Sequence, residues 1–127
     1  MSKVPEDLKY SNDHEWVKVD GKIVTIGITD YAQDQLGDIV YVELPAAGKE
    51  FKVKEEFGVV ESVKSVSSLF SPVAGKVVDV NAELSSSSQI VNQDPYGKAW
   101  MIKVEMSNPS DVDSLLSAED YIKILAK

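Results

Sequence analysis

The chain has 127 residues, of which 43% are hydrophobic and 27% charged, and 13 Lys against 21 Asp plus Glu give a net charge of −8. This length and composition predict one domain with a hydrophobic core. With no cysteine, one histidine and no arginine, the chain lacks the residues of disulfides, thiolate metal sites and multi-histidine clusters, and its acidic charge argues against nucleic acid or anionic membranes as partners.

The N-terminal segment shows no targeting signal and leads into a predicted β-hairpin. Residues 1–7 have neither an apolar run nor an arginine, so we expect a cytoplasmic protein, or one of an organellar matrix if a presequence was removed. Residues 17–19 and 22–26 are rich in β-branched residues. The Asp20-Gly21 pair between them favours a tight two-residue turn.

A short helix is predicted next, over residues 30–36. Asp30 is a typical N-cap residue, Gln33 follows at the spacing of a capping box, and Gly37 is typical of a helix end. Five further segments are predicted as strands from their β-branched content or alternating hydrophobicity. They are residues 38–44, with Val40, Val42 and Leu44 on one face, residues 51–55, with Phe51 and Val53 on one face, and residues 59–64, 76–80 and 100–106.

The C-terminal part is predicted to be helical. Residues 110–116 and a second helix capped by Ser117 are expected to cover an open end of the sheets. Before them, the serine tract at residues 85–88 is predicted to be a surface loop. Apolar residues define one face of each predicted helix: Val112, Leu115 and Leu116 in the first, and Tyr121, Ile124 and Leu125 in the second.

Many short strands with helices only at the margins predict a small antiparallel barrel or sandwich. Residues 37–42 and 75–80 share a pattern of Gly, a charged residue, two apolar residues, a variable residue and Val. This weak repeat indicates two similar halves. Lys64 lies near the midpoint between them, among valines and serines, and at the tip of a hairpin if the flanking strands pair. Spacing alone does not distinguish Lys64 from the rest of the 13 lysines in the chain.

The segment Glu61-Ser62-Val63-Lys64-Ser65 resembles the lipoylation motif of the H protein family of the glycine cleavage system. Gly48 lies sixteen residues before Lys64 and Gly75 eleven after it, as in lipoyl and biotinyl domains. Several separate motifs in the same order make the resemblance specific. The other matching segments are His14-Glu15-Trp16-Val17, residues 26–30, 32–33, 36–37, 42–45, 71–72, 95–96 and 100–102, Leu115-Leu116 and Tyr121.

The resemblance implies a mainly β fold, the barrel-sandwich hybrid of lipoyl and biotinyl domains, with short flanking helices in the N-terminal third and at the C-terminus. Residues 1–127 would form a single lipoyl-carrier domain, with a helical cover from about residue 110. Lipoate would be joined to Lys64 by an amide, which removes the lysine charge. The redox sulfurs then arrive with the cofactor, in keeping with a chain that has no cysteine.

The resemblance also implies a carrier rather than an enzyme, serving glycine catabolism and one-carbon metabolism. A pyridoxal-phosphate glycine decarboxylase loads an aminomethyl group onto the arm, an aminomethyltransferase passes its carbon to tetrahydrofolate, and dihydrolipoamide dehydrogenase reoxidises the dithiol. Lipoate-attaching enzymes are further partners, and a monomer is expected. Within the same family, a lipoyl relay that donates lipoate to other complexes is an alternative.

Between visits to these enzymes, the family folds its loaded arm into a surface cleft. His14 and Glu15 are the candidates for lining that cleft, and Glu15 would hydrogen-bond the cationic amine. A packed or surface histidine and a plain surface carboxylate are equally open interpretations. Relatives commonly have Asp where Ser68 stands, so a carboxylate contact from that position is in doubt.

Other classes fit the sequence less well. Lipoyl domains of 2-oxo acid dehydrogenases usually carry Asp-Lys-Ala at the tip, and biotinyl domains carry Met-Lys-Met, whereas this chain has Val63-Lys64-Ser65. A binding module with an unmodified Lys64 remains an alternative. A stand-alone enzyme is the weakest reading, because His14 has no identifiable nucleophile partner.

Overall fold

Two antiparallel β-sheets make up the fold of residues 3–126, the part of the chain that the computed structural model describes. Three short α-helices and two 3-10 turns connect and flank the strands. The elements are β1 (Lys9–Tyr10), β2 (Glu15–Asp20), β3 (Ile23–Ile28), α1 (Asp30–Leu36), β4 (Ile39–Glu43), β5 (Glu50–Phe51), β6 (Glu56–Ser62), β7 (Val66–Phe70), β8 (Gly75–Val80), α2 (Ile90–Gln93), β9 (Ile102–Met106) and α3 (Ala118–Leu125), with 3-10 turns at Ala82–Ser85 and Pro109–Ser114.

The larger sheet has the strand order β1-β2-β3-β9-β8-β5, and the smaller sheet has the order β4-β6-β7. Buried residues of both sheets form one main core, which includes Ile26, Val60 and Ile102. A second cluster lies on the other face of β2, because successive strand residues point to opposite sides. Val17 is part of the main core, whereas Trp16 packs in this second cluster with residues of α3. The prediction of a mainly β fold is therefore confirmed.

The predicted hairpin is present as β2 and β3, and Gly21 in its turn has a φ of 64°. The bounds of α1 also match the prediction, but its cap does not. Thr29 is the N-cap, since its backbone is extended and its side chain accepts a hydrogen bond from the amide of Ala32. Asp30 is instead the first helical residue, and it accepts a bond from Gln33 Nε2 at 2.8 Å.

The predicted apolar face of β4 is wrong. A bulge lies between Ile39 and Tyr41 in the pairing with β6, and it interrupts the alternation of side chains. As a result Ile39 and Val42 are buried, whereas Val40 is 55% exposed. Leu44 follows the end of the strand and is partly buried against the core.

The weak repeat between residues 37–42 and 75–80 has a structural counterpart. In β8 the register shifts between Val77 and Asp79, so Val78 is skipped in the pairing with β9. Val78 occupies the same place in the repeat as Val40, and both side chains are exposed. The two segments therefore share a bulge at the same position, one in each sheet.

Two predicted elements are shorter than expected. Within residues 51–55 only Phe51 is in a strand, and Lys54, with a φ of 71°, turns the chain so that its amide reaches the carbonyl of Ser71. Residues 110–116 form a 3-10 turn that ends at Ser114 rather than an α-helix. Leu116 then pairs with Tyr10 through two backbone hydrogen bonds, which require extended backbone there.

The remaining predictions for the C-terminal part are largely confirmed. Ser117 caps α3 by accepting a hydrogen bond from the amide of Asp120, and Tyr121 on the apolar face of this helix is fully buried. The predicted strand at residues 76–80 corresponds to β8, which begins one residue earlier, and residues 100–106 contain β9. The serine tract at residues 85–88 is mostly exposed, but the short helix α2 that follows it was not predicted.

Candidate functional site

Lys64 lies in the middle of the turn that joins β6 to β7. Glu61 pairs with Val66 across the hairpin, and the amide of Ser62 donates to the carbonyl of Ser65 at 2.8 Å. The Ser62 hydroxyl also accepts a bond from the amide of Lys64 at 3.3 Å. The predicted attachment motif is thus brought together as one hydrogen-bonded turn with an exposed lysine at its centre.

The base of this turn rests on the end of α1. The amide of Val63 donates to the carbonyl of Asp38 at 3.1 Å. Gly37 ends α1 with a φ of 83°, and a Cβ placed on it would lie 3.3 Å from Cε and 3.9 Å from Nζ of Lys64. The lysine methylenes therefore lie against bare backbone, a position that favours glycine for both its conformation and its lack of a side chain.

The rest of the motif leaves Lys64 accessible. Val63 and Val66 are 71% and 66% exposed, and Ser65 is also exposed. Glu61 is half-buried on β6. Among residues 3–126, no carboxylate forms an ion pair with Lys64 within 4.0 Å. The amine is therefore open to attack an activated acyl group delivered by another protein.

His14 lies at the opposite end of α1 from Lys64. Its carbonyl accepts a bond from the amide of Thr29, the cap of α1, and its ring packs against Tyr31 with centroids 4.9 Å apart. Nδ1 lies 2.8 Å from the hydroxyl of Tyr121. The half-burial of the ring lowers the pKa of His14, and the nearby Asp13 opposes this effect only partly.

The hydrogen bonds around Tyr121 select one tautomer of His14. Thr29 is fully buried, and its Oγ1 already accepts a bond from Ala32. Among the described residues, Tyr121 Oη, 2.8 Å from Thr29 Oγ1, is the acceptor to which the buried Thr29 hydroxyl donates its proton. Tyr121 then donates its own proton to His14 Nδ1. The neutral ring consequently carries its proton on Nε2.

Glu15 is buried, in contrast to His14. Only 1% of it is exposed, Oε1 accepts a bond from the Ser11 hydroxyl at 2.5 Å, and Oε2 accepts one from the amide of Phe70 at 3.3 Å. Burial raises the pKa of Glu15 to about 8, although these two hydrogen bonds act in the opposite direction. Glu15 is thus a buried acid whose protonated form burial favours, rather than a surface carboxylate.

The structure separates the attachment motif from the two predicted cleft residues. The seven residues of α1 span about 10 Å, so His14 is about one helix length from Gly37. Phe70, which contacts Glu15, lies at the far end of β7 from the turn, roughly 13 Å from Val66 at about 3.3 Å per residue. Ser68, also on β7, is half-buried opposite Val59.

The sequence does not predict several residues that shape the surroundings of the Lys64 turn and of His14 and Glu15. Thr29 and Tyr121 orient His14, Ser11 binds Glu15, and Asn92 binds the segment below Lys64. Tyr121 was expected only as an apolar residue of its helix. The contacts of Tyr121 and Asn92 have no local sequence signal, because they join residues far apart in the chain, whereas Ser11 lies only four residues before Glu15.

Within residues 3–126 there is no group of three His, Asp or Glu side chains that is able to hold a metal ion. No helix there is long and apolar enough to cross a membrane.

The comparisons with known proteins agree with this geometry. Residues 8–127 match the family model described as glycine cleavage H-protein. Glycine cleavage system H proteins of Carboxydothermus hydrogenoformans and Halalkalibacterium halodurans are 63% and 57% identical, over 98% and 100% of this chain and 96% and 99% of their own. The crystal structure of a glycine cleavage system H protein from Mycobacterium marinum superposes with a TM-score of 0.90 at 35% identity, covering 98% of this chain and all of that one.

These matches confirm both the predicted family and the lipoyl-domain type of fold. They cover nearly the whole chain, including the Lys64 turn and the segment that carries His14 and Glu15. The chain therefore belongs to the glycine cleavage H-protein family, whose members are the lipoyl carriers of the glycine cleavage system.

Proposed function

We propose that Lys64 is the lipoyl attachment site of this chain and that the chain shuttles the lipoyl group among the enzymes of the glycine cleavage system. The observation that carries the proposal is the exposed lysine at the centre of a hydrogen-bonded turn within the family motif. Attachment forms an amide between Nζ and the carboxyl carbon of lipoate, activated as its acyl adenylate. AMP leaves, and the amine gives up its proton and its charge.

The surroundings of Lys64 fit a long, uncharged arm. The bare backbone at Gly37 leaves room for the methylenes, and the bond from Val63 to Asp38 keeps the base of the turn in place. When bound, the lipoyl group supplies a reducible disulfide and a thiol that carries the aminomethyl group, chemistry that a chain without cysteine cannot provide. The protein's own task is to present and shelter the arm.

The path for a sheltered arm runs along α1. An extended lipoyl group reaches roughly 9 Å beyond Nζ, at about 1.2 Å per bond, which is close to the length of α1. Its end would arrive where His14 packs against Tyr31. There the Nε2–H of His14 would donate a hydrogen bond to the arm.

Glu15 would bind the cationic end of the loaded arm by losing its proton. A cationic amine near its carboxyl group would favour the ionised form and release the proton that burial keeps on Glu15. The carboxylate would then hydrogen-bond the cation, and Ser11 already contacts one of its oxygens. The roles of His14 and Glu15 belong to this proposal.

The specific partners follow from the same role. We propose a pyridoxal-phosphate glycine decarboxylase, a tetrahydrofolate-dependent aminomethyltransferase, dihydrolipoamide dehydrogenase and a lipoate-attaching enzyme as partners, and the cytoplasm as location. In this proposal the chain has no turnover of its own and works as a monomeric single carrier domain over residues 1–127. The pairing of Leu116 with Tyr10 supports a C-terminal cover on the same domain.

The test is the modification itself. The chain is incubated with a lipoate–protein ligase, lipoate and ATP, and analysed by intact mass and peptide mapping. We expect one lipoyl amide, located on Lys64 and abolished by Lys64→Ala. Lys76→Ala, which removes an exposed lysine of β8, is the matched control and should be modified like the wild type. A folded wild-type chain that stays unmodified, or modification elsewhere, would refute the assignment.

A further inference from the structure

The side-chain amide of Asn92 joins three segments next to the Lys64 turn. Its Oδ1 accepts a bond from the amide of Ile39 at 2.8 Å. Its Nδ2 donates to the carbonyl of Gly37 at 2.8 Å and to Oε1 of Gln33 at 2.9 Å. The acceptor and both N–H groups of Asn92 are thus in use, and they connect α2 to the end of α1 and the start of β4.

Asn92 binds the short segment on which the turn rests. Gly37 lies against the methylenes of Lys64, and Asp38 accepts the amide of Val63. Asn92 holds the residue before Asp38 and the residue after it. One side chain from a distant part of the sequence therefore holds both ends of this three-residue segment.

Other contacts also hold the segment: the amide of Gly37 donates to the carbonyl of Gln33, and Ile39 is buried in the main core and pairs with Ser62. Gly37 has a positive φ of 83°, and the bulge at Val40 begins one residue after Ile39. A glycine followed by a bulge gives backbone with considerable conformational freedom. Asn92 itself is fixed, because its neighbours Ile90 and Val91 are buried in the main core.

We infer that Asn92 is a positioning residue for lipoylation and for the sheltered arm: by fixing residues 37–39, it fixes the Lys64 turn in the orientation that an attaching enzyme must recognise. This inference rests on the proposed attachment at Lys64. A turn that samples several positions can be recognised by the attaching enzyme for only part of the time. This raises the apparent KM for the acceptor chain and leaves kcat nearly unchanged.

Asn81 provides a matched control. Its Nδ2 donates to the carbonyls of Lys98 and Trp100 at 2.8 and 2.7 Å, and its Oδ1 accepts from Glu83. It therefore makes the same kind of multiple bridge as Asn92. Its bonds, however, involve neither residues 33–39 nor the Lys64 turn.

The experiment compares the wild type with Asn92→Ala, Asn92→Asp and Asn81→Ala. Amide hydrogen exchange is measured on the unmodified chains, and lipoylation kinetics are measured with a lipoate–protein ligase at varied acceptor concentration. For Asn92→Ala we expect exchange of the Val63 amide to rise about tenfold, the effect of losing roughly 1.4 kcal/mol of restraint, and KM to rise by more than about twofold as the competent fraction of the turn falls, with kcat nearly unchanged. Asn81→Ala should change neither quantity by more than about twofold.

Asn92→Asp keeps the size of the side chain and the acceptor for Ile39 but loses both donors, so it tests the inference even if the alanine variant does not fold. Wild-type exchange at Val63 together with wild-type KM in a folded Asn92 variant would overturn the inference. An equal effect of Asn81→Ala would also overturn it, because the role would then be general stabilisation. Failure of the wild type to accept lipoate would instead refute the proposed function, and that outcome is separate from the exchange result.

Discussion

His14 and Glu15 are neighbours in the sequence but have opposite surroundings. The backbone of His14 is in the left-handed region, with a φ of 68°, immediately before β2 begins at Glu15. This turn leaves the ring of His14 half-exposed beside Tyr31 and directs Glu15 into the interior. One short motif therefore places a histidine ring at the surface and a buried acid with a raised pKa beneath it.

The buried acid predicts a pH-dependent stability. Because the pKa of Glu15 is about 8 in the folded chain and near 4.5 when exposed, the folded state binds the extra proton between these values. The free energy of unfolding therefore falls as the pH rises from about 4.5 to 8. The loss through Glu15 amounts to as much as about 5 kcal/mol.

Urea unfolding of Glu15→Gln across this pH range tests the effect. The neutral glutamine should remove most of the decline, so the variant gains stability relative to the wild type as the pH rises. Glu50→Gln, which changes an exposed carboxylate, should instead follow the wild type. Parallel curves for the wild type and Glu15→Gln would show that Glu15 is ionised in the folded chain.

The tautomer of His14 is a second prediction at this scale. His14 is the only histidine of the chain, so its ring nitrogens are assigned without ambiguity in a nitrogen NMR spectrum. We expect the proton on Nε2 in the wild type. Tyr121→Phe removes the hydroxyl that donates to Nδ1, so the preference should weaken and the pKa of His14 should rise toward its ordinary value.

Tyr10→Phe is the control for Tyr121→Phe. The Tyr10 ring stacks on Tyr121 at 4.6 Å, but its hydroxyl donates to the carbonyl of Pro5 and not to His14. A wild-type chain with the proton on Nδ1, or no response to Tyr121→Phe, would contradict the arrangement of hydrogen bonds deduced here.

At the scale of elements, α1 links the two proposed functional places, the Lys64 turn and the surroundings of His14. Thr29 begins this helix beside His14, and Gly37 ends it beside Lys64. The helix is therefore both a spacer of about 10 Å and one wall of the proposed path for the arm. Its two caps define where that path begins and ends.

Gly37→Ala tests this role of α1. The positive φ strains any residue with a Cβ, and here the Cβ also meets Lys64 Cε at 3.3 Å. We expect a loss of about 1–2 kcal/mol of stability and slower lipoylation of Lys64. Gly48→Ala has a similar strain at a φ of 98° but no neighbour within 4 Å. It should lose stability without slower lipoylation, and equal lipoylation of both variants would contradict the role of Gly37.

Local signals predicted some elements well. The Asp20-Gly21 turn, Gly37 at the end of α1 and Ser117 at the start of α3 act on neighbouring residues, so the sequence around them is sufficient. The true cap of α1 is Thr29, one residue before the predicted Asp30, because both residue types are favourable caps and only the backbone decides between them.

Other features depend on contacts that no local pattern reveals. The bulge at Val40 arises from pairing with β6 and interrupts the alternation expected for β4, so Ile39 is buried and Val40 is exposed. The burial of Glu15 depends on the end of β7, and the contacts of Asn92 join elements more than fifty residues apart. The attachment motif is different, because its five residues are contiguous and their turn is closed by their own hydrogen bonds.

At the scale of the whole molecule, two sheets with equivalent bulges hold the Lys64 turn at one end of the smaller sheet. The paired strands and the Asn92 contacts position the base of the turn, while the exposed Lys64 side chain extends from it. Tethering raises the local concentration of the arm at each docked active site without any new contact. This combination suits a carrier that serves several enzymes in succession.

Reconstitution of glycine cleavage tests the central claim most directly. Glycine-dependent NADH formation is measured with the glycine decarboxylase, the aminomethyltransferase, dihydrolipoamide dehydrogenase, tetrahydrofolate and NAD⁺, while this chain is the only variable. We predict saturable activity with the chain lipoylated on Lys64, and none with the unmodified chain or with Lys64→Ala treated in the same way. Activity with Lys64→Ala, or none with the lipoylated wild type, would contradict the account.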